Sequence, residues 1–119
     1  MDEKARQKIQ DLQILEQNLQ SLLMQNQNIN LELSEISNAL SEINKTSDKV
    51  YKMVGSIIVA VDKADTIKEL EEKKKLLEMR NSSIEKQKSS IESRALELQT
   101  EIRKLIDKSS SDNTDFKKR

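Results

Sequence analysis

Apolar residues recur in alternating steps of three and four along the first third of the chain. Nine of the ten positions reached in this way are apolar, and the tenth is an asparagine. Such a heptad pattern is typical of a coiled-coil helix. We therefore predict a helix over residues 4–45. Its pairing seam consists of Leu12, Leu15, Leu19, Leu22, Asn26, Ile29, Leu33, Ile36, Leu40 and Ile43.

The same spacing resumes in the second half of the chain and predicts a second helix over residues 64–107. One heptad position is apolar throughout, but the other includes Lys74, Asn81 and Lys88, so we expect looser pairing in the middle. For its N-cap we expect Asp62 or Asp65, and Thr66 with Glu69 has capping-box spacing. The second seam consists of Ile67, Leu70, Lys74, Leu77, Asn81, Ile84, Lys88, Ile91, Ala95, Leu98, Ile102 and Leu105.

Between the helices lies the segment VYKMVGSIIVAV, residues 50–61, which contains the chain's one glycine, Gly55. Both flanks are rich in β-branched residues, and glycine at the first of two turn positions suits a type II′ turn. We predict a β-hairpin in which Val54 pairs with Ile57 and the register continues outward to Val50 with Val61.

Two helices of nearly equal length on either side of a hairpin favour antiparallel pairing within one chain. The numbers of layer partners then add to a constant, and 110 centres the fold-back on Gly55. The heptads alone define the register only to within seven residues. A long parallel dimer is the alternative, and the hairpin argues against it. Asn26 either enforces the register or is a polar layer tolerated near water.

Composition excludes an ordinary globular core, because 35% of the residues are charged and 2% are aromatic. One glycine and no proline favour long helices over disorder. The 21 basic and 21 acidic residues balance, so we expect no nucleic-acid and no membrane partner. The longest apolar run, residues 57–61, is too short to span a membrane, and we expect a cytoplasmic protein.

Residue types that support catalysis are scarce. The chain has no histidine and no cysteine, and a single glycine cannot form a phosphate-binding loop. The carboxylates follow helical charge pairing instead of clustering. We therefore expect no catalytic residues, no cofactor and no metal site, and the chain is not predicted to be an enzyme.

The predicted hairpin has two largely apolar faces and two unpaired edges, and an isolated hairpin is marginally stable in water. Hairpins from several subunits are expected to pair into a shared sheet or closed barrel. Burial against the helix ends of the same chain is the alternative. The predicted interface comprises Val50, Tyr51, Met53, Val54, Gly55, Ile57, Ile58, Val59 and Val61.

An antiparallel coiled coil interrupted by this hairpin, and resumed through DTIKELEEK, resembles the prefoldin beta subunits of the archaeal type, which are also similar to eukaryotic prefoldin subunit 6. The most specific part is the Tyr51-Lys52-x-Val54-Gly55 turn region followed by Ile58-Val59. The resemblance covers residues 1–107 as a single prefoldin-like unit. One hairpin implies the beta type, because alpha subunits carry two.

The resemblance implies a hexamer of two alpha and four beta subunits, with a platform of β-barrels from which six coiled coils project. It also implies an ATP-independent holdase that captures unfolded polypeptides at the coiled-coil tips and passes them to a group II chaperonin. A different class of function stays open, namely a structural coiled-coil adaptor or scaffold that oligomerises through its hairpin.

Tip binding would require incompletely buried apolar groups at the end of the coil that carries both termini. The predicted layers there are poor, since Ala5 lies opposite Leu105 and Lys8 opposite Ile102. An ordinary loose coil end is the alternative. Residues 108–119 are predicted to be a disordered tail. The predicted client-binding residues are Ala5, Ile9, Leu12, Ile14, Leu98, Ile102, Leu105 and Ile106.

Overall fold

The computed structural model of the chain describes residues 3–46 and 49–117, with side chains described as far as residue 108. Two long helices flank an antiparallel two-stranded sheet, as predicted. The elements are α1 (Glu3–Lys45), β1 (Val50–Val54), β2 (Ile57–Val61) and α2 (Lys63–Lys117). The chain divides into two compact units, one formed by Met1–Met24 with Glu85–Arg119 and the other by Gln25–Ile84.

The first unit, which contains both termini, pairs the start of α1 with the later part of α2. Its core is apolar, and Leu98 is its most completely buried side chain, with 1% exposed. An ion pair between Lys8 and Glu101 joins the two helices. The buried apolar residues of this unit are Ala5, Leu22, Leu98 and Ile102.

The second unit contains the remainder of α1, the hairpin and the start of α2. Two amide hydrogen bonds join its helices, from Asn26 to Asn81 and from Asn81 to Asn30. At the base of the hairpin, Lys63 Nζ donates to the Thr46 carbonyl oxygen at 2.6 Å. The buried apolar residues of this unit are Ile29, Ile36, Leu77 and Ile84.

Burial along both helices confirms the predicted seams. Every seam position of α1 from Leu12 to Ile43, and every one of α2 from Ile67 to Leu105, is buried or half-buried. The residue numbers of the hydrogen-bonded cross-helix partners, such as Lys8 with Glu101, add to between 107 and 111. The structure thus has the antiparallel register centred on the glycine.

Asp62 is the N-cap of α2. Its Oδ2 accepts a hydrogen bond from the Asp65 N–H at 3.0 Å, and its carbonyl oxygen accepts one from the Thr66 N–H at 3.0 Å. Thr66 lies inside the helix and its Oγ1 donates back to the Asp62 carbonyl oxygen. The predicted capping box of Thr66 with Glu69 is therefore wrong, and of the two candidate caps the structure selects Asp62.

The C-terminal end of α2 differs from the prediction. The helix was expected to end at residue 107, with a disordered tail over 108–119, whereas its backbone continues to Lys117. Nothing after Gly55 forces a helix to stop, because the rest of the chain has neither glycine nor proline. Residues 118 and 119 of the predicted tail lie outside the described residues.

The hairpin has the predicted register throughout, from Val54 paired with Ile57 to Val50 paired with Val61. Gly55 has a φ of 62°, and no other described residue has positive φ. Ser56 therefore has negative φ, which a type II′ turn requires and a type I′ turn forbids. Glycine is needed at this position because side chains are strongly disfavoured there.

Candidate functional site

The hairpin leaves apolar side chains exposed on both faces. Met53 and Ile58 lie opposite each other across the strands and are 72% and 65% exposed. Val54 and Ile57 form the equivalent pair on the other face and are also exposed. Large apolar side chains clustered on both faces of a small sheet indicate a surface that is covered in an assembly.

The hairpin is not buried against the helix ends of its own chain, which was the alternative at the sequence level. A cavity of about 490 Å³ remains open between β1 and the helix ends within the second unit. Tyr51 and Met53 border this cavity from the strand, and Ile43 and Leu70 border it from the helices. The sheet has two strands, so each strand also keeps one edge unpaired.

The terminal unit places the eight predicted client-binding residues in three different environments. Ala5, Leu98 and Ile102 are buried. Ile9, Leu12 and Leu105 are half-buried. Ile14 and Ile106 are exposed, by 53% and 47%. The exposed and half-buried side chains are accessible from solvent, whereas Ala5 and Leu98, at 2% and 1% exposed, are not.

Four of these eight residues come together around a shallow groove of about 370 Å³. Polar and cationic groups from α2 border the apolar floor. The groove is lined by Ile9, Leu12, Gln99, Ile102, Arg103 and Ile106. The other four predicted residues, which include the exposed Ile14, do not line it.

Sequence reasoning missed the ion pair beside this groove. Lys8 was expected to face Ile102, but its Nζ donates to Glu101 Oε2 at 2.6 Å. The hydrogen bond from Lys8 is the main cause that lowers the pKa of Glu101. Desolvation opposes it, and the positive charges of Lys8, Arg94 and Lys104 lower the pKa further. The sequence did contain a signal for this ion pair. Lys8 lies in the seam, and its predicted partner Ile102 is adjacent to Glu101.

Two further features bear on the kind of site. Among the described residues, no three histidine, cysteine, aspartate or glutamate side chains are grouped so that they could hold a metal ion. None of the helices, over the part of the chain that the structure describes, is long and apolar enough to cross a membrane.

A helix pair that carries an exposed apolar hairpin defines a coiled-coil subunit built for assembly. The family model described as "Prefoldin subunit" matches residues 6–109, so the chain belongs to the prefoldin family. Its fold is similar to the crystal structure of the prefoldin beta subunit from Thermococcus strain KS-1, with a TM-score of 0.79 and 32% sequence identity. That match covers 87% of this chain and 93% of the other. No curated protein sequence matches the chain significantly.

The recognition made from the sequence, a prefoldin subunit of the beta type, is thus confirmed at the level of family and fold. Prefoldins are non-enzymatic chaperone cofactors, and membership of this family implies assembly with other prefoldin subunits. The hairpin carries the exposed apolar side chains Met53 and Ile58 on one of its faces.

Proposed function

We propose that the chain is the beta-type subunit of an ATP-independent holdase. The observation that carries this proposal is the fold match to an archaeal prefoldin beta subunit, at 32% identity over 87% of the chain. In the proposed cycle the assembled complex binds unfolded polypeptides in the cytoplasm and passes them to a group II chaperonin. The mechanism needs no bond chemistry, since capture and release depend on reversible burial of apolar surface.

Assembly is assigned to the hairpin, whose interface residues are those predicted from the sequence. Full burial of one large aliphatic side chain is worth about 1.5–3 kcal/mol, whereas association costs about 4–15 kcal/mol. Complete burial of the exposed parts of Met53, Val54, Ile57, Ile58 and Val59 would contribute a free energy of the same order as that cost. The proposed assembly contains two alpha and four beta subunits, with the hairpins joined in β-barrels.

Client binding is assigned to the terminal unit. Ile9, Leu12, Ile102 and Ile106 line its groove, and Ile14 adds exposed apolar surface outside it. A shallow site with few apolar side chains suits weak and reversible contact with many sequences. Ala5 and Leu98 are buried in the core of this unit and would meet a client only after the end opens, whereas the half-buried Leu105 is partly accessible.

The deciding experiment uses the full-length chain assembled with a prefoldin alpha subunit. An aggregation-prone protein is diluted from denaturant into buffer without ATP, with and without the complex, and light scattering is followed. We expect the complex to suppress aggregation and to form a complex with the client that size-exclusion chromatography detects. A correctly assembled complex that fails to suppress aggregation would instead support the structural adaptor.

A further inference from the structure

Three asparagine side chains form a closed hydrogen-bonded ring between the helices of the second unit. Asn26 Nδ2 donates to Asn81 Oδ1, Asn81 Nδ2 donates to Asn30 Oδ1 at 3.1 Å, and Asn30 Nδ2 donates to Asn26 Oδ1 at 3.2 Å. Within the ring, each amide donates once and accepts once. Asn26 and Asn81 are half-buried seam residues and Asn30 is exposed beside them.

The ring matters because the two seams by themselves do not define one register. Both seams repeat every seven residues and are mostly apolar, so sliding one helix by seven residues again places many apolar residues opposite apolar residues. Such a slide moves the helix by about 10.5 Å. The slide requires the end of α1 next to the hairpin to unwind. The cost of this unwinding is the only way in which the hairpin opposes the slide.

A slide of one heptad breaks the ring in either direction. Asn81, which has Asn26 and Asn30 as cross-helix neighbours in the observed register, would then have Leu33 and Ser37, or Leu19 and Leu23, in those places. In either slipped register Asn81 loses both amide partners, and the exposed Ser37 is the one polar side chain among the replacements. A leucine can neither donate to an amide oxygen nor accept from an amide nitrogen. A half-buried amide without a partner is unfavourable, and even the lower end of the usual cost lowers the population of a slipped state about fivefold.

We propose that Asn26, Asn30 and Asn81 are positioning residues that select the observed helix register against registers slipped by one heptad. This role lies beyond the proposed chaperone function, which does not depend on it. The ring acts through the difference between registers, so it need not increase the total stability of the helix pair. Replacing these asparagines with apolar residues should therefore keep the fold but allow the slipped registers to form.

The test exploits the absence of native cysteine. Engineered pairs report the register in the full-length chain: Leu33→Cys with Leu77→Cys for the observed register, and Leu33→Cys with Leu70→Cys or with Ile84→Cys for the two slipped ones. Each pair is oxidised under exchange conditions, and the intramolecular disulfide is quantified by mass spectrometry. The pairs are compared in the native background and with Asn26→Leu and Asn81→Leu combined.

We expect the slipped disulfides to increase at least fivefold relative to the observed one when both asparagines are replaced, with the helix content by circular dichroism unchanged. Asn81→Leu alone should produce the same shift and serves if the double variant folds poorly. Asn38→Leu, an exposed position on α1, is the matched control and should leave the ratio unchanged. A ratio that stays native-like in both ring variants would overturn the proposal and assign the register to the hairpin.

Discussion

The ion pair between Lys8 and Glu101 links the two helices of the terminal unit. It joins α1 to α2 next to the buried Ala5 and Ile102. Two other ion pairs, Lys88 with Glu85 and Arg94 with Glu97, each join residues of α2. The cross-helix pair is therefore the one whose loss is expected to loosen the end of the helix pair.

Acid should open this contact. Because the pKa of Glu101 is lowered in the folded chain from an ordinary value near 4.5, the stability that the pair contributes is fully present above about pH 4.5. It is lost as the pH falls through the lowered pKa. Carboxyl NMR of the full-length chain should give a titration midpoint for Glu101 below the ordinary value.

The matched variant is Lys8→Met, which removes the charge and keeps an unbranched apolar chain. The midpoint of Glu101 should then move up toward its ordinary value, since the hydrogen bond from Lys8 is the largest cause of the lowered pKa. Identical midpoints in the two proteins would show that the ion pair does not form in solution.

At this scale the sequence predicted which positions face the partner helix but not which side chain meets which. Lys8 was placed opposite Ile102 in the idealised layers, while in the structure its long chain leaves the seam for a carboxylate. Asn26 was recognised as a possible register residue, yet the ring also needs Asn30, which lies outside the seam. Such contacts depend on rotamers, which a heptad pattern does not specify.

The start of α2 depends on a single capping residue. Asp62 Oδ2 accepts the Asp65 N–H that would otherwise lack a helical partner. Asp62→Ala should destabilise the chain by about 1 kcal/mol, within the range of about 0.5–2 kcal/mol known for N-caps. Urea denaturation followed by circular dichroism measures this.

Asp62→Asn is the matched control for the cap, because its amide oxygen can accept the same hydrogen bond, and it should cost only a few tenths of a kcal/mol. Asp65→Ala tests the candidate cap that the structure did not select. An Asp65→Ala loss larger than that of Asp62→Ala would contradict the cap assigned here.

The hairpin should control assembly without controlling the helices. Ile58→Lys places a charge on an apolar face that we propose is buried between subunits. Burial of an unpaired charge is strongly unfavourable. We expect sedimentation velocity to show loss of the complex with the alpha subunit, with helix content preserved. Met79→Lys, a matched exposed apolar position on α2, should assemble normally. An intact complex with Ile58→Lys would refute the hairpin interface.

The elements themselves followed closely from the sequence. Seam spacing predicted both helices, and the β-branched flanks with Gly55 predicted the strands, their register and the sign of φ in the turn. The end of α2 was placed at residue 107, ten residues short of Lys117. Serine, aspartate and asparagine are weak helix formers rather than helix breakers, so polarity there was a poor signal for an end.

For the whole molecule, assembly and client capture are assigned to different units of the chain. The hairpin belongs to Gln25–Ile84, and the groove lined by Ile9 and Ile102 belongs to the unit that contains both termini. The sequence could predict this division, because an apolar hairpin and an apolar coil end are separate patterns. It could not predict which of the terminal residues stay accessible, because that depends on packing.

Client capture should therefore respond to Ile14 and Ile106, the two predicted residues that are exposed. Replacing both with lysine changes little buried structure, so the complex should assemble and keep its helix content. Each replacement should weaken capture about fivefold, which corresponds to about 1 kcal/mol for an apolar side chain that a client covers in part. The measurement is the affinity of the assembled complex for a fluorescent unfolded protein.

Leu31→Lys with Leu76→Lys adds the same charge at similarly exposed positions of the other unit and should leave that affinity unchanged. If the two double variants weaken capture equally, general charge and not the terminal unit determines binding, and the assigned client site is wrong.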